Sequence, residues 1–366
     1  LTSLRWFLAW WVCIYHLTIP EVAPLPPGWL EPLRAHGYLA VDAFFVLSGF
    51  ILAHVYRDQF HRFQARTYAR FLVARLARIY PAHLATLLAM LLLLMAAIHV
   101  AGLAPRVAER FSAREFLLHL SLLHAWGLST QLAWNFPSWS ISAEWFAYLC
   151  FPLVHLLVLR HEGWGRPMAV IGAGLAGLAG LEVFGPNGGG LSYTFEFALV
   201  RIGCEFSIGA AVLMLVRPWI ARARTGLRGP ARPHGALAAA AALAGPFLLP
   251  DTASVALLAG LIACLAHPDD ALGRLLDRRW LVYGGETSYA VYMIHGLVQW
   301  LAIQAVRSVG AVAAVPGWAR LVVLVLIVQA AAMLLYHLVE GPMRAWLRTQ
   351  GERHVVSRLP PGSQVA

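Results

Sequence analysis

Residues 77–100 read ARIYPAHLATLLAMLLLLMAAIHV, twenty-four residues with a single formal charge, Arg78, in the first turn. Wound as an α-helix at about 1.5 Å per residue, this run is roughly 36 Å long, enough to cross the ~30 Å hydrocarbon core of a bilayer. Apolar runs of similar character recur on both sides of it. The stretches drawn as spans are 4–19, 38–57, 77–100, 139–159, 167–184, 194–216, 235–250, 252–267, 286–307 and 320–340. The expected fold is therefore an all-α integral membrane bundle of about ten transmembrane helices.

Composition agrees. Hydrophobic residues make up 60% of the 366 and charged residues 13%, where a soluble domain carries roughly 25% charge. The formal net charge is +10, and every basic residue is arginine rather than lysine. The arginines cluster between apolar runs, which is the pattern of topology-fixing loops and not of a nucleic-acid surface. The segment from Arg57 to Arg78 carries six, Arg57, Arg62, Arg66, Arg70, Arg75 and Arg78; Arg217, Arg222, Arg224, Arg228 and Arg232 follow the sixth span; Arg344, Arg348, Arg353 and Arg358 follow the last. Placing all three groups on the cytoplasmic side puts both termini inside. Residues 116–130 would break this parity if they crossed, so they are read as a re-entrant or interfacial segment on the outer face, and the glycine-rich 185–192 as an outer turn.

Residues 1–345 form one membrane domain on this reading, and 346–366 a flexible cytoplasmic tail. The chain begins at Leu1, so a short N-terminal piece is expected to be missing, and no cleavable signal peptide is evident. Cys13, Cys150, Cys204 and Cys264 each sit in an apolar run without a CxxC pair and read as buried small hydrophobes. No GxSxG elbow or P-loop occurs, and His119 and His124 are read as lacking carboxylate partners at ligand spacing, so no metal is expected.

Ionisable residues inside spans are functional candidates. In LRWFLAWWVCIYHL, Arg5 and His16 are eleven helical steps apart, which returns the helix to within about 20° of one face some 16 Å further along. Arg5 alone also fits snorkelling to cytoplasmic headgroups, and His16 alone an outer-interface residue. Asp42 lies four residues into the second span, at a depth that suits orienting His16 through its Nδ1 proton, or equally capping the helix start. Ser48 and Gly49 read as a close helix-packing pair. Arg75 and Arg78 share a face at the cytoplasmic mouth, where they suit phosphate or a positive-inside signal. Ser140, Ser142 and Glu144 offer polar groups near the outer start of the fourth span, beside Trp139 as a sugar-stacking or interfacial ring. Arg201 and Glu205, at i and i+4, read as a structural pair; His295 lies near mid-membrane, and Glu340 is expected to pair with a nearby arginine.

Taken in order, LRWFLAWWVCIYH, GYLAVDAFFVLSGFIL, RFLVARLARIYP, PSWSISAEWFAYLCFP, YGGETSYAVYMIHG and YHLVEGPMR resemble the acyltransferase-3 family of membrane proteins, from Arg5 to about Arg344. Trp6, Trp10 and Trp11 depart from that family's smaller residues. The resemblance implies a stand-alone membrane-bound O-acyltransferase of the bacterial inner membrane, with acyl-CoA, by default acetyl-CoA, as the cytoplasmic donor and no metal. It implies a carbohydrate acceptor, free or lipid-linked, most simply an exopolysaccharide or O-antigen repeat unit, with peptidoglycan or a small glycosylated metabolite as alternatives. The family's motif positions fall on Arg5, His16, Asp42, Arg75, Arg78, Trp139, Ser140 and Glu144; the reading built on them expects His16, Asp42 and Glu144 in catalysis, Arg5, Arg75 and Arg78 at the donor, and Trp139, Ser140 and His295 at the acceptor. A covalent acyl-histidine relay and direct transfer are both open, and lipid is the surrounding partner. A multi-pass transporter of a polar or anionic solute is the alternative from another class.

Overall fold

The computed structural model describes residues 1–60, 64–101, 111–160, 162–186, 189–223 and 232–357. Arg62, Arg224, Arg228 and Arg358 of the basic groups, part of the expected turn at 185–192, and tail residues 358–366 lie outside the described residues. The described residues are helical and contain no strand, only an isolated bridge between Arg232 and Asp270.

A helix occupies each of the ten stretches drawn from the sequence. These are α1 (Leu4–Leu17), α2 (Leu39–Tyr56), α3 (Ala65–Ala101), α4 (Trp139–Leu149), α5 (Gly165–Phe184), α6 (Ala198–Ala223), α7 (His234–Leu248), α8 (Asp251–Leu265), α9 (Arg279–Ser308) and α10 (Gly317–Leu335); α11 (Gly341–Ser357) follows. Among the described residues six runs, those of α2, α3, α5, α6, α9 and α10, are long and apolar enough to cross a membrane. A seventh is the pair Phe136–Leu149 and Phe151–Leu159, bent by 56°. The break falls at Cys150, two residues before Pro152, whose ring and missing N–H prevent the i to i−4 ladder from running on. α1, α7 and α8 have 14, 15 and 15 residues and are short for a crossing by length alone. The protein is a multi-pass, all-α membrane protein.

The apolar pattern is inside out compared with a soluble bundle. Only 22% and 17% of the apolar windows of α5 and α10 are buried, against 67% for α2 and α6. Leu326, Leu334, Leu338, Val183 and Phe184 point outward, whereas Asp42, Arg201, Glu205, His295 and Glu340 are fully enclosed. The outer helices thus offer hydrocarbon to lipid, while α2 and α6 carry Asp42, Arg201 and Glu205 in the interior.

α2 and α6 meet backbone to backbone. A Cβ on Gly49 would stand 2.0 Å from the Phe206 carbonyl oxygen, and one on Gly209 would stand 1.9 Å from that of Val46. The reciprocal glycines permit an approach that no side chain allows. Gly49 therefore packs as its sequence setting suggested.

Residues 116–130 form no continuous helix. The short helix Ala113–Leu120 ends in a reversal at Leu122, with φ 58°, and a wide turn follows at His124–Leu128. The segment is tied to the start of α4: the Ser142 hydroxyl donates to the Leu122 carbonyl at 2.7 Å and accepts from the Ala125 amide at 3.1 Å. His124 Nε2 meets the Ser138 hydroxyl at 3.1 Å and its ring stacks on His119 at 3.8 Å. Ser142 is thereby committed to holding this segment and is not free for a site.

Candidate active site

A cavity of about 260 Å³ lies among α1, α2, α3, α4, α9 and α11. Along α2 its wall runs from Val41 to Leu52, eleven helical steps or about 16 Å. One region of the wall is cationic: Arg5 from α1, Arg75 and Arg78 from α3, and Arg344 and Arg348 from α11. Farther along are Ser48, Glu144, Ser140 and Tyr292. The three arginines expected at the donor, together with Ser140 and Glu144, are thus brought to one space.

The arginines differ in their commitments. Arg78 is ion-paired to Glu340 and lies 5.4 Å over the Tyr289 ring. Arg344 reaches the same Glu340 oxygen at 3.5 Å, so the expected pairing of Glu340 is present. Arg75 donates to the Tyr56 hydroxyl at 3.2 Å and lies 5.3 Å over that ring. The Arg5 Nε is buried and has no hydrogen-bond partner among the described residues. Five arginines facing Glu340 and Glu144 leave a formal surplus of three positive charges. Such a surplus facing one cleft suits an anion.

Glu144 accepts a 2.6 Å hydrogen bond from the Ser48 hydroxyl on Oε1. Ser48, expected to serve only packing, instead orients a carboxylate within the cavity. The far wall is closed by Tyr292, whose hydroxyl donates to the Pro137 carbonyl at 2.8 Å and accepts from Ser140 at 2.8 Å.

Behind Tyr292 stand His295 and His16, neither of which lines the cavity. The Tyr292 and His295 rings are 5.5 Å apart. His295 Nδ1 lies 2.6 Å from the Tyr292 carbonyl, and its Nε2 lies 3.0 Å from His16 Nδ1. A carbonyl only accepts, so His295 Nδ1 carries hydrogen. For neutral rings His295 Nε2 is then the acceptor, His16 Nδ1 the donor, and His16 Nε2 carries a free lone pair. The rings stack at 5.1 Å, and Phe136 meets the edge of His16 at 4.9 Å. Gln299 Nε2 donates to the His16 carbonyl at 2.5 Å. Asn135 ties the intervening loop to α3 and α9 by donating to Thr86 and to the Met293 carbonyl at 2.9 and 3.0 Å.

Asp42 does not orient His16. It accepts two hydrogen bonds from Arg201, from Nε at 2.7 Å and from Nη2 at 2.5 Å. Both side chains are fully buried, and Arg201 also donates to the Tyr193 carbonyl at 3.0 Å. The bidentate fork of an arginine outcompetes an imidazole for an enclosed carboxylate. The expected Arg201–Glu205 pair is present as a looser 3.6 Å contact. Trp139 is buried with the Arg201 guanidinium 5.4 Å from its ring and Phe45 at its edge, so it offers no face to the cavity. His295, expected at the acceptor, is enclosed and holds His16.

The residues not singled out beforehand are Arg344, Arg348, Tyr148 and Tyr292. Two signals could have found some of them. Arg344 and Arg348 continue the i, i+4 row from Glu340, and Tyr292 precedes His295 by three, on one helix face. Among the described residues no group of three or more His, Cys, Asp and Glu is placed to hold a metal.

No solved structure matches the chain. Over 322 residues it is 30% identical to "Acyltransferase MdmB" of Streptomyces mycarofaciens, covering 81% of this chain and 78% of that protein. It is 27% identical over 390 aligned residues to "Putative peptidoglycan O-acetyltransferase YrhL" of Bacillus subtilis (strain 168), covering 98% of this chain and 56% of that one. A 53-residue stretch, 14% of this chain and 27% of the other, is 49% identical to "Protein 2 in picA locus" of Rhizobium radiobacter. Residues 1–337 match the Acyl_transf_3 family, described as an acyltransferase domain. An arginine-rich cavity running toward an oriented histidine belongs, in this chain, to a member of the Acyl_transf_3 acyltransferase family.

Proposed function

We propose that the protein transfers an acetyl group from acetyl-CoA, bound from the cytoplasmic side, to a hydroxyl of a carbohydrate acceptor reached from the outer side of a bacterial inner membrane. In this reading all ten helices α1–α10 cross, the short ones with help from their flanking residues, and both termini are cytoplasmic. The acceptor is an exopolysaccharide or O-antigen repeat unit.

The observation that carries the reading is the pairing of two features on one helix. Arg5 holds a buried, unbonded Nε in a cationic cavity, and His16, near the other end of α1, is set by His295 with Nε2 free. A donor with a polyanionic nucleotide and a long neutral arm fits that separation. Its phosphates meet Arg5 and Arg75, its arm follows the α2 wall, and its thioester reaches the Ser140–Tyr292 end. His16 Nε2 takes the proton from the acceptor hydroxyl. The oxygen then forms the ester bond to the acyl carbon, the carbon–sulfur bond breaks, and the proton passes to the departing thiolate to give free CoA. Glu144 orients the acceptor from the opposite wall. Peptidoglycan is the second acceptor reading, favoured by the name of the Bacillus subtilis relative.

The test uses the protein in proteoliposomes with acetyl-CoA inside and isolated polysaccharide outside. Release of free thiol dependent on acceptor, with new O-acetyl proton NMR signals, supports the reading. Full transfer by His16→Ala sinks the assigned base. Stable acetylation of the protein with donor alone would replace direct transfer by a relay.

A further inference from the structure

We infer that Arg344 and Arg348 form a phosphomonoester subsite at the solvent end of the cavity, which on the acetyl-CoA reading takes the ribose 3′-phosphate of the donor. The inference rests on that donor reading and adds a position to it. Both arginines lie on α11, beyond residue 337 where the family match ends, and both line the cavity.

Three observations converge. The first is spacing. Residues four apart share a helix face, about 6 Å along the axis, so the two guanidinium groups can close on one phosphate from adjacent turns. The second is exposure. Arg344 is partly buried, with 28% of its side chain accessible, and Arg348 is exposed. The pair therefore spans the passage from cavity to water, where a doubly charged phosphate keeps part of its hydration. The third is what remains for the ligand. Arg78 is taken by Glu340, and Arg75 leans on Tyr56. Arg348 has no hydrogen bond or ion pair shown among the described residues, and Arg344 holds Glu340 only at 3.5 Å, beyond the usual range of a hydrogen bond.

The order of charge along the donor supplies the placement. The diphosphate lies between the thioester arm and the nucleoside, and the 3′-phosphate lies farthest from the reacting carbon. With the thioester toward His16 and the diphosphate at Arg5 and Arg75, the remaining phosphate falls at the mouth, where α11 stands. Arginine suits a phosphate better than a point-charge cation does, because its fork donates two parallel hydrogen bonds.

The experiment compares acetyl-CoA with 3′-dephospho-acetyl-CoA in proteoliposomes made with and without anionic phospholipid, for wild type, Arg348→Ala and Arg344→Ala. The expected wild type prefers acetyl-CoA about tenfold in kcat/KM. Arg348→Ala is expected to raise KM for acetyl-CoA about tenfold and to leave KM for the dephospho donor within twofold, which abolishes the preference and shows an intact fold. Equal weakening of both donors overturns the inference; if that weakening vanishes when anionic phospholipid is omitted, the pair reads a lipid phosphate instead. Unchanged kinetics in both variants overturns it as well. A wild type that turns over neither donor in the presence of acceptor defeats the acetyl-CoA reading itself.

Discussion

His16 and His295 are joined ring to ring, Nδ1 to Nε2 at 3.0 Å, and the Tyr292 carbonyl fixes the far nitrogen of His295. A neutral histidine does here what a carboxylate does in a hydrolytic triad: it selects the tautomer and holds the ring. It adds no negative charge beside the base, which matters in a site meant to admit a polyanion. His295→Ala is expected to lower kcat about 10- to 100-fold with little change in donor KM, because His16 loses its tautomer preference. His16→Ala should abolish transfer, and the double variant should be no worse than His16→Ala alone. Steady-state acetyl transfer on folded, reconstituted protein measures all three. Additive losses would show that the two rings act separately.

Asp42 and Arg201 make the opposite case, a buried charge pair that does not itself line the cavity. Removing one partner strands the other charge, and such losses are about 3–5 kcal/mol. Asp42→Ala or Arg201→Ala is expected to reduce yield and thermal stability in detergent sharply. Asp42→Leu with Arg201→Met should recover most of the stability, since an apolar pair of similar volume removes both desolvation penalties. Recovery of stability with near-normal kcat identifies Asp42 as structural. Recovery of stability with activity still lost would return Asp42 to the chemistry.

The helices were legible because a bilayer imposes length and hydropathy on each stretch, and arginine marks the gaps between them. Arg5, Arg75, Arg78, Ser140 and Glu144 were legible as a group because polar residues within apolar helices have few places to go but a shared cavity. Partner choice was not legible. Asp42 and His16 sit at matching depth on neighbouring helices, which made them a plausible pair by sequence. The outcome depended on α6, 159 residues away from Asp42, delivering Arg201 to the same carboxylate. Likewise His295 had no local mark of its role, because its partner lies 279 residues away. Ser48 was misjudged because a small residue next to Gly49 looks like a packing position, while its hydroxyl happens to face Glu144.

Gly49 itself tests the packing of α2 on α6. Its Cβ would lie 2.0 Å from a backbone oxygen, which cannot move aside as a side chain can. Gly49→Ala is expected to cost several kcal/mol of stability, in the range of severe overpacking, and Gly49→Leu to prevent accumulation in the membrane. Fluorescence size-exclusion profiles of the two variants against wild type provide the measurement. A monodisperse Gly49→Leu protein would show that the helices are farther apart than described.

Arg5, like Arg75, is a cavity arginine whose buried Nε has no hydrogen-bond partner among the described residues. Its loss should be felt mainly in donor binding. Arg5→Ala is expected to raise KM for acetyl-CoA about 10- to 100-fold, the value of one or two charge-assisted hydrogen bonds. Arg5→Lys should recover the charge but not the fork, leaving an intermediate KM. Donor titrations at saturating acceptor measure this. An unchanged KM in Arg5→Ala would detach the cation from the donor.

Glu144 shares the cavity with those arginines, so its charge acts on both donor and acceptor, with opposite signs. Toward an anionic donor it is repulsive and also competes for the surrounding cations. Toward a hydroxyl acceptor it is a hydrogen-bond acceptor, held in one orientation by Ser48 at 2.6 Å. Glu144→Gln keeps the shape and the oxygen that Ser48 contacts but deletes the charge. Donor KM should then stay level or fall a fewfold, because like charge has been removed from the anion's surroundings. The kcat should drop about 10- to 100-fold, because the acceptor hydroxyl loses a charged partner at the moment its proton departs. Ser48→Ala should reproduce a smaller part of the kcat loss through a less firmly held carboxylate, and should add nothing to Glu144→Gln. Kinetics with both substrates varied separate these terms. A raised donor KM with unchanged kcat in Glu144→Gln would mean that the carboxylate serves to position the arginines rather than the acceptor.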